Sequence, residues 1–259
     1  MNTLHAFILG LVEGVSEFLP ISSTGHLILT SRILGIPQTE FVKTFEIAIQ
    51  LGAIISVIVL YGKKFLMNFQ VLKRIGAAFL PTAVIGFAFY KIIKKFLLGN
   101  SSIVTWSLFL GGIFLIIFEL LHREKKDAVN AIQSISYKQA FSIGIFQTIA
   151  VIPGVSRSAA TIIGGLILGL RRDVIVEFSF LLAVPTMLAA TLLDLYKNAN
   201  TFTPDQFSLL GIGFVTSFIA ALLAIKFLMS FIKKHTFISF GIYRILVALL
   251  FWFVVFKRT

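Results

Sequence analysis

The sequence predicts an all-α polytopic membrane protein, with six transmembrane helices and two re-entrant helix-loop-helix segments arranged as an inverted-topology repeat. Three observations carry this expectation. The 259 residues are 58% hydrophobic and only 13% charged, with a mean hydropathy of +0.97, well outside the range of soluble domains. Six apolar runs are long enough to cross ~30 Å of hydrocarbon at roughly 20 residues per helix. Two further apolar regions are interrupted at their middle by proline and hydroxyl residues, and one can be laid over the other.

In chain order the six runs fall at 45–61, 75–93, 103–121, 178–195, 208–229 and 237–256. The interrupted regions are 4–34, broken at Pro20 with Ser22 and Ser23, and 140–170, broken at Pro153-Gly154 with Ser156, Arg157 and Ser158. Each half is too short to span. Two half-helices meeting at membrane depth are tolerated where the loop is buried in protein or lines a cavity.

Sliding one interrupted region over the other by 134 positions brings Ala6, Phe7 and Gly10 onto Ala140, Phe141 and Gly144. Ser22 then meets Ser156, Ile33-Leu34-Gly35 meets Ile167-Leu168-Gly169, and Glu13 falls on Gln147. Three spans follow each region. The chain therefore reads as one integral membrane domain made of two copies, 1–121 and 140–259, joined by a basic linker at 122–139.

Charge orients the copies. The 23 Lys and Arg against 11 Asp and Glu lie mostly between apolar runs, which fits anionic headgroups and argues against a nucleic-acid partner. With both interrupted regions re-entrant, twelve basic residues gather on one side, at 63–74, 123–138, 171–172 and 233–234, and eight on the other. The positive-inside rule assigns the first side to the cytoplasm and both termini outside. Because three spans are an odd number, the copies then have opposite topology, with a shared site near the midplane and half-helix N-termini pointing at it. No Cys occurs, so disulfides, thiolate metal sites and a cysteine nucleophile are excluded. The start, MNTLHAFILGLVEG, lacks a basic segment and a small-residue cleavage site and reads as mature protein.

Residues 13–26, EGVSEFLPISSTGH, concentrate two carboxylates, four hydroxyls and a histidine in apolar surroundings. Ionisable groups at membrane depth cost ~2.5–3.5 kcal/mol each on insertion scales and persist where they pair, line a wet cavity or do chemistry. Glu13 and Glu17, four residues apart, share a helical face and either bind a cation or share a proton; pairing with a neighbouring Arg or Lys is the blander alternative. Ser22, Ser23 and Thr24 are N-cap candidates for a half-helix whose positive end attracts an anion. His26, three residues past Ser23, suits a nucleophile and its base, or a histidine that itself attacks or protonates a leaving oxygen. In the second copy Ser156, Arg157 and Ser158 stand at the equivalent half-helix start, where a guanidinium fork suits phosphate oxygens. Gln147 keeps that half from becoming acidic and joins the substrate-binding group. Glu46, Glu119, Glu177 and Asp194 fall near helix ends and are expected to be solvated, Lys226 to snorkel, and Gly111-Gly112 and Gly164-Gly165 to serve helix packing. Nucleotide-binding and HExxH patterns are absent from the sequence.

The two polar boxes, EGVSEFLPISSTGH and PGVSRSAAT, with FSFLLAVPTMLAATLLDLYK at 178–197, make the chain similar over essentially its whole length to the undecaprenyl-diphosphate phosphatase family of the bacitracin-resistance type. The resemblance implies hydrolysis of undecaprenyl diphosphate to undecaprenyl phosphate and phosphate in the bacterial inner membrane. It also implies recycling of the lipid carrier of peptidoglycan synthesis, bacitracin tolerance and use of a divalent cation, Mg2+ or Ca2+. The family's ExxxE pair matches Glu13 and Glu17, its SSTGH matches 22–26 and its PGxSRS matches 153–158; Ala159 stands where the family usually has Gly. The phosphatidate-phosphatase-like enzymes fit less well, because their second histidine is replaced by Ile163. On this resemblance Arg157, Ser156, Ser158, Ser22, Thr24 and Gln147 bind the diphosphate. Glu13 and Glu17 hold the cation or steer a proton, and Ser23 and His26 are nucleophile and acid/base in an open order, direct attack by water included. The expected partners are a polyprenyl diphosphate lipid, the membrane and a second copy of the chain. A polyprenyl-phosphate transporter or flippase using the same midplane site is the alternative from another class; it needs the charge but not the nucleophile.

Overall fold

A computed structural model describes residues 1–66, 68–89, 101–198 and 204–256, so residues 90–93 of the second expected span and the Asp194 side chain lie outside the described residues. The described residues are helical with no strand. In order they form α1 (Thr3–Ser16), α2 (Ser23–Ile33), α3 (Glu40–Ala48), α4 (Gln50–Leu66), α5 (Phe69–Ala88), α6 (Ser101–Leu121), α7 (Tyr137–Thr148), α8 (Arg157–Ile167), α9 (Arg172–Asn198), α10 (Pro204–Phe231) and α11 (Ile238–Phe256). Five stretches are long and apolar enough to cross a membrane: Glu40–Lys63, Phe69–Ala88, Ser101–Leu121, Arg172–Leu193 and Gln206–Phe231. The run expected at 237–256 falls on α11, whose stretch Ile238–Phe253 is a shorter apolar helix.

Element boundaries follow local chemistry that hydropathy does not register. The first span begins at Glu40 because the Thr39 hydroxyl accepts from Val42 N–H at 3.3 Å and caps α3, and it continues through a bend at Ile49 into α4. α9 begins at Arg172, with Asp173 in the first turn, where a carboxylate is favoured by the helix dipole. The outward faces of α5, α6 and α11 carry exposed large apolar side chains at three- and four-residue spacing, such as Leu110, Phe114, Ile117 and Leu121. That is the stripe a lipid-facing helix presents to hydrocarbon, where apolar exposure costs nothing.

The interrupted regions break where expected. α1 ends at Ser16 and a turn through Pro20 leads into α2. α7 ends at Thr148, a 3-10 turn follows at Ile149–Val151, and Pro153-Gly154 leads into α8. α1 packs on α10 and α7 packs on α5, while α6 and α11 pack on each other. Glycines make the first two contacts close. A Cβ on Gly10 would lie 2.5 Å from the Gly213 carbonyl oxygen, and one on Gly144 would lie 2.1 Å from that of Ala78. Burial matches at paired positions: Ala6 and Ala140 are fully buried, Phe7 and Phe141 are exposed, and Ser22 and Ser156 are buried.

Candidate active site at the two broken helices

The starts of α2 and α8 meet the end of α1 at a small, mostly polar pocket of about 140 Å³, lined by Glu17, Ser22, Ser23, Thr24, Ser156 and Arg157, with Gln50, Ala150, Val155 and Met187. Its groups come together because each lies beside a helix break. Glu17 caps the C-terminus of α1, its N–H bonded to the Glu13 carbonyl at 2.9 Å, so the two carboxylates are one turn apart. Ser23 opens α2, and a helical side chain leans toward its own N-terminus; its hydroxyl accordingly donates to Glu17. The other Glu17 oxygen accepts from Arg157 Nη2 at 3.3 Å and Nε at 3.4 Å. Arg157 Nη1 donates to the Ser179 carbonyl at 2.9 Å, which holds the fork side-on to the pocket.

The two serines heading the half-helices differ. The Ser156 hydroxyl accepts from Ala159 N–H at 3.1 Å as an ordinary N-cap and faces the Leu19 carbonyl at 3.5 Å. Ser158 donates to the Phe18 carbonyl at 2.8 Å, tying α8 to the first loop. Ser22, by contrast, has φ +74°, the one non-glycine residue with positive φ among the described residues, and makes no side-chain cap bond. Such a conformation costs about 1–3 kcal/mol and is found where surrounding structure enforces it. The Ser22 carbonyl takes the ordinary first-turn bond from His26 N–H at 3.3 Å and also faces His26 Nδ1 at 2.7 Å. A carbonyl only accepts, so Nδ1 carries the proton, and Nε2 faces the Tyr243 hydroxyl at 2.9 Å.

The expected Ser23–His26 pairing is therefore not formed. Glu17 stands at Ser23 instead, while the imidazole is spent on the backbone of its own turn and on Tyr243. Gln147 is not brought to the pocket either. Its amide donates to Thr82 at 2.7 Å and Thr186 at 3.2 Å, a packing role between α7, α5 and α9. Two carboxylates expected to be solvated are held by protein: Glu119 pairs with Arg172 and is buried, and Glu46 accepts from Ser31 at 2.8 Å. In both cases a neighbouring element, invisible to the local pattern, covers the helix end.

Glu13 is fully buried, and neither of its oxygens has a hydrogen-bond partner. An orphaned buried carboxylate beside a second one and a rim of hydroxyls is an all-oxygen donor set, which suits a hard cation such as Mg2+ or Ca2+. Among the described residues no third carboxylate or histidine completes a ligand cluster, so substrate or water oxygens would supply the remaining ligands.

Sequence reasoning missed two residues of α11 that face this region: Tyr243, on His26, and Arg244, buried and bonded to carbonyls of both loops. The signal for Arg244 was present. An arginine inside the apolar run 237–256 needs a reason to be there.

Fold and site together define a polytopic helical membrane protein with a buried pocket in which a carboxylate, a serine and an arginine converge from two broken helices. The family model for the bacitracin resistance protein BacA matches residues 6–250, and the chain belongs to that family. Among similar proteins, the undecaprenyl-diphosphatase of Aquifex aeolicus is 54% identical over 251 residues, covering 97% of this chain and 98% of its own. That of a Sulfurihydrogenibium species is 55% identical over 252 residues, 97% and 99% of the two chains. That of Wolinella succinogenes is 51% identical over 253 residues, 98% of each.

Proposed function

We propose that this protein hydrolyses undecaprenyl diphosphate to undecaprenyl phosphate and inorganic phosphate in the bacterial inner membrane, recycling the carrier for peptidoglycan synthesis. The observation that carries the reading is the chain of contacts Ser23, Glu17, Arg157 at the mouths of two half-helices. The terminal phosphoryl group would sit against Arg157 and the first-turn N–H groups of α8, with Ser22, Thr24 and Ser156 around it; Ser158, expected on the substrate, is instead bonded to the Phe18 carbonyl and does not line the pocket. An anion there competes with Glu17 for the guanidinium and so frees a carboxylate already bonded to the Ser23 hydroxyl. Ser23 Oγ attacks the terminal phosphorus as its proton passes to Glu17. The bond from that phosphorus to the bridging oxygen breaks, and undecaprenyl phosphate leaves. Water then attacks the phosphoserine and returns the enzyme with inorganic phosphate. Glu13 and Glu17 would hold a divalent cation, Mg2+ or Ca2+, which when bound neutralises charge on the diphosphate. His26, fixed by Ser22 and Tyr243, holds the Ser22 turn.

The same reading takes the chain as six spans and two re-entrant segments, with repeats 1–121 and 140–259 of opposite topology, the linker 122–139 cytoplasmic and a homodimer as the assembly. Its support is the exchange of packing, α1 on α10 and α7 on α5, with the matched burial of paired residues. The names of the similar proteins describe phosphatases and give the transporter alternative no support. Phosphate release from an isoprenoid diphosphate by the purified protein in detergent is the test. No release with Mg2+ or Ca2+ present, or full rates in both Glu17→Gln and Arg157→Ala, overturns the assignment.

A further inference from the structure

Arg244 lies in the second turn of α11, 2% exposed, and among the described residues it forms no ion pair. Its described partners are all backbone carbonyls. Nη1 faces Pro20 O at 3.4 Å, Nη2 donates to Gly154 O at 3.0 Å and Ser107 O at 2.9 Å, and Nε faces Leu108 O at 3.4 Å. Pro20 and Gly154 are the same position of the two repeats, 134 residues apart. Each stands two residues before the serine that heads its half-helix. One guanidinium thus grips the equivalent carbonyl of both loops.

The neighbouring helix is shaped to admit it. A Cβ on Gly111 of α6 would lie 2.2 Å from Arg244 Nη2. Gly154 has φ +89°, and a Cβ there would lie 2.7 Å from the Val104 carbonyl oxygen. The cation thus comes from α11 and the space beside it from Gly111 of α6. Because the planar fork of arginine offers five donors in fixed directions, it can set the separation of several carbonyls at once; a lysine ammonium, a point charge on a flexible stem, cannot.

We propose that Arg244 is a positioning residue that locks the two loops together and so fixes the distance between Ser23 of the first and Arg157 of the second. The proposal rests on the phosphatase reading for its kinetic consequence, but not for its structural one. A misplacement on the order of 1 Å between reacting groups costs about 100-fold in rate. Arg244→Lys is therefore expected to lower kcat by roughly 100-fold while KM changes little, since every side chain on the phosphate is retained. Gly111→Ala, which keeps the charge but displaces the guanidinium, is expected to lower kcat in the same way. In Arg244→Ala, added guanidinium should restore part of the lost rate.

Hydrogen exchange read by mass spectrometry supplies the measurement that needs no activity. In Arg244→Lys and Gly111→Ala, amides at 21–24 and 154–158 should lose protection together, with α1 and α7 unchanged. Wild-type kcat and exchange in both variants overturns the proposal, as does faster exchange spread evenly along the chain, which would mean a general packing role. Should wild-type protein release no phosphate, the phosphatase reading fails, and the paired exchange of the two loops still decides the role of Arg244.

Discussion

Glu17→Gln separates the two duties of the pocket carboxylate. In the wild type one oxygen accepts from Ser23, and the other faces Arg157 at 3.3 and 3.4 Å, with side chains only 7% and 12% exposed. Glutamine preserves the size of the group and an acceptor for Ser23, but it can neither take a proton nor balance the guanidinium. Loss of a positioned base costs about 10²–10⁴-fold in rate. Removing one partner of a buried pair costs about 3–5 kcal/mol, and the Ser179 carbonyl, still bonded to Arg157 at 2.9 Å, should hold the loss toward the lower end. Phosphate release under saturating substrate, normalised to folded protein, gives the first quantity, and thermal unfolding in the same detergent gives the second. The expected result is a kcat lowered at least 100-fold, on the base estimate above, together with a lower melting temperature. A kcat within about threefold of wild type would refute the assignment of Glu17 as base, because threefold is far below any general-base contribution.

Further outcomes follow from other parts of the structure. Ser23→Ala should abolish turnover without disturbing Arg157, and rapid acid quenching of the wild type should trap phosphate on Ser23; absence of the adduct with normal turnover would transfer the attack to water. Glu13→Gln removes a carboxyl group whose oxygens are buried and without hydrogen-bond partners and should raise the divalent-cation concentration needed for half-maximal rate by about tenfold or more, the scale of losing a metal contact; an unchanged requirement would place the cation elsewhere. Gly144→Ala drives a methyl to within 2.1 Å of the Ala78 carbonyl oxygen and should cost about 1–3 kcal/mol of stability, readable as a lower unfolding temperature. Since the chain has no cysteine, single cysteines at Gln38 and Lys126 can be labelled in intact cells. They should react from opposite sides, and reaction from one side would sink the inverted topology.

The membrane class, the two broken helices and the residue types that gather at them are legible in the chain alone. Long apolar runs and buried-charge costs are properties of the chain, independent of what packs on it. The pairing of positions between the two interrupted regions was legible for the same reason, and Gly10 and Gly144, paired by it, both stand at close helix contacts. Tertiary structure decided which groups touch. Nothing local distinguishes His26 from Glu17 as the partner of Ser23; the fold does so by holding the imidazole between the Ser22 carbonyl and Tyr243 of α11. Gln147 went to Thr82 and Thr186, and Glu119 to Arg172, because distant helices cover them. Arg244 is the clearest case. Its partners at Pro20 and Gly154 are 224 and 90 residues away in sequence, and hydrogen bonds that join two distant loops through a third element exist only once the chain has folded.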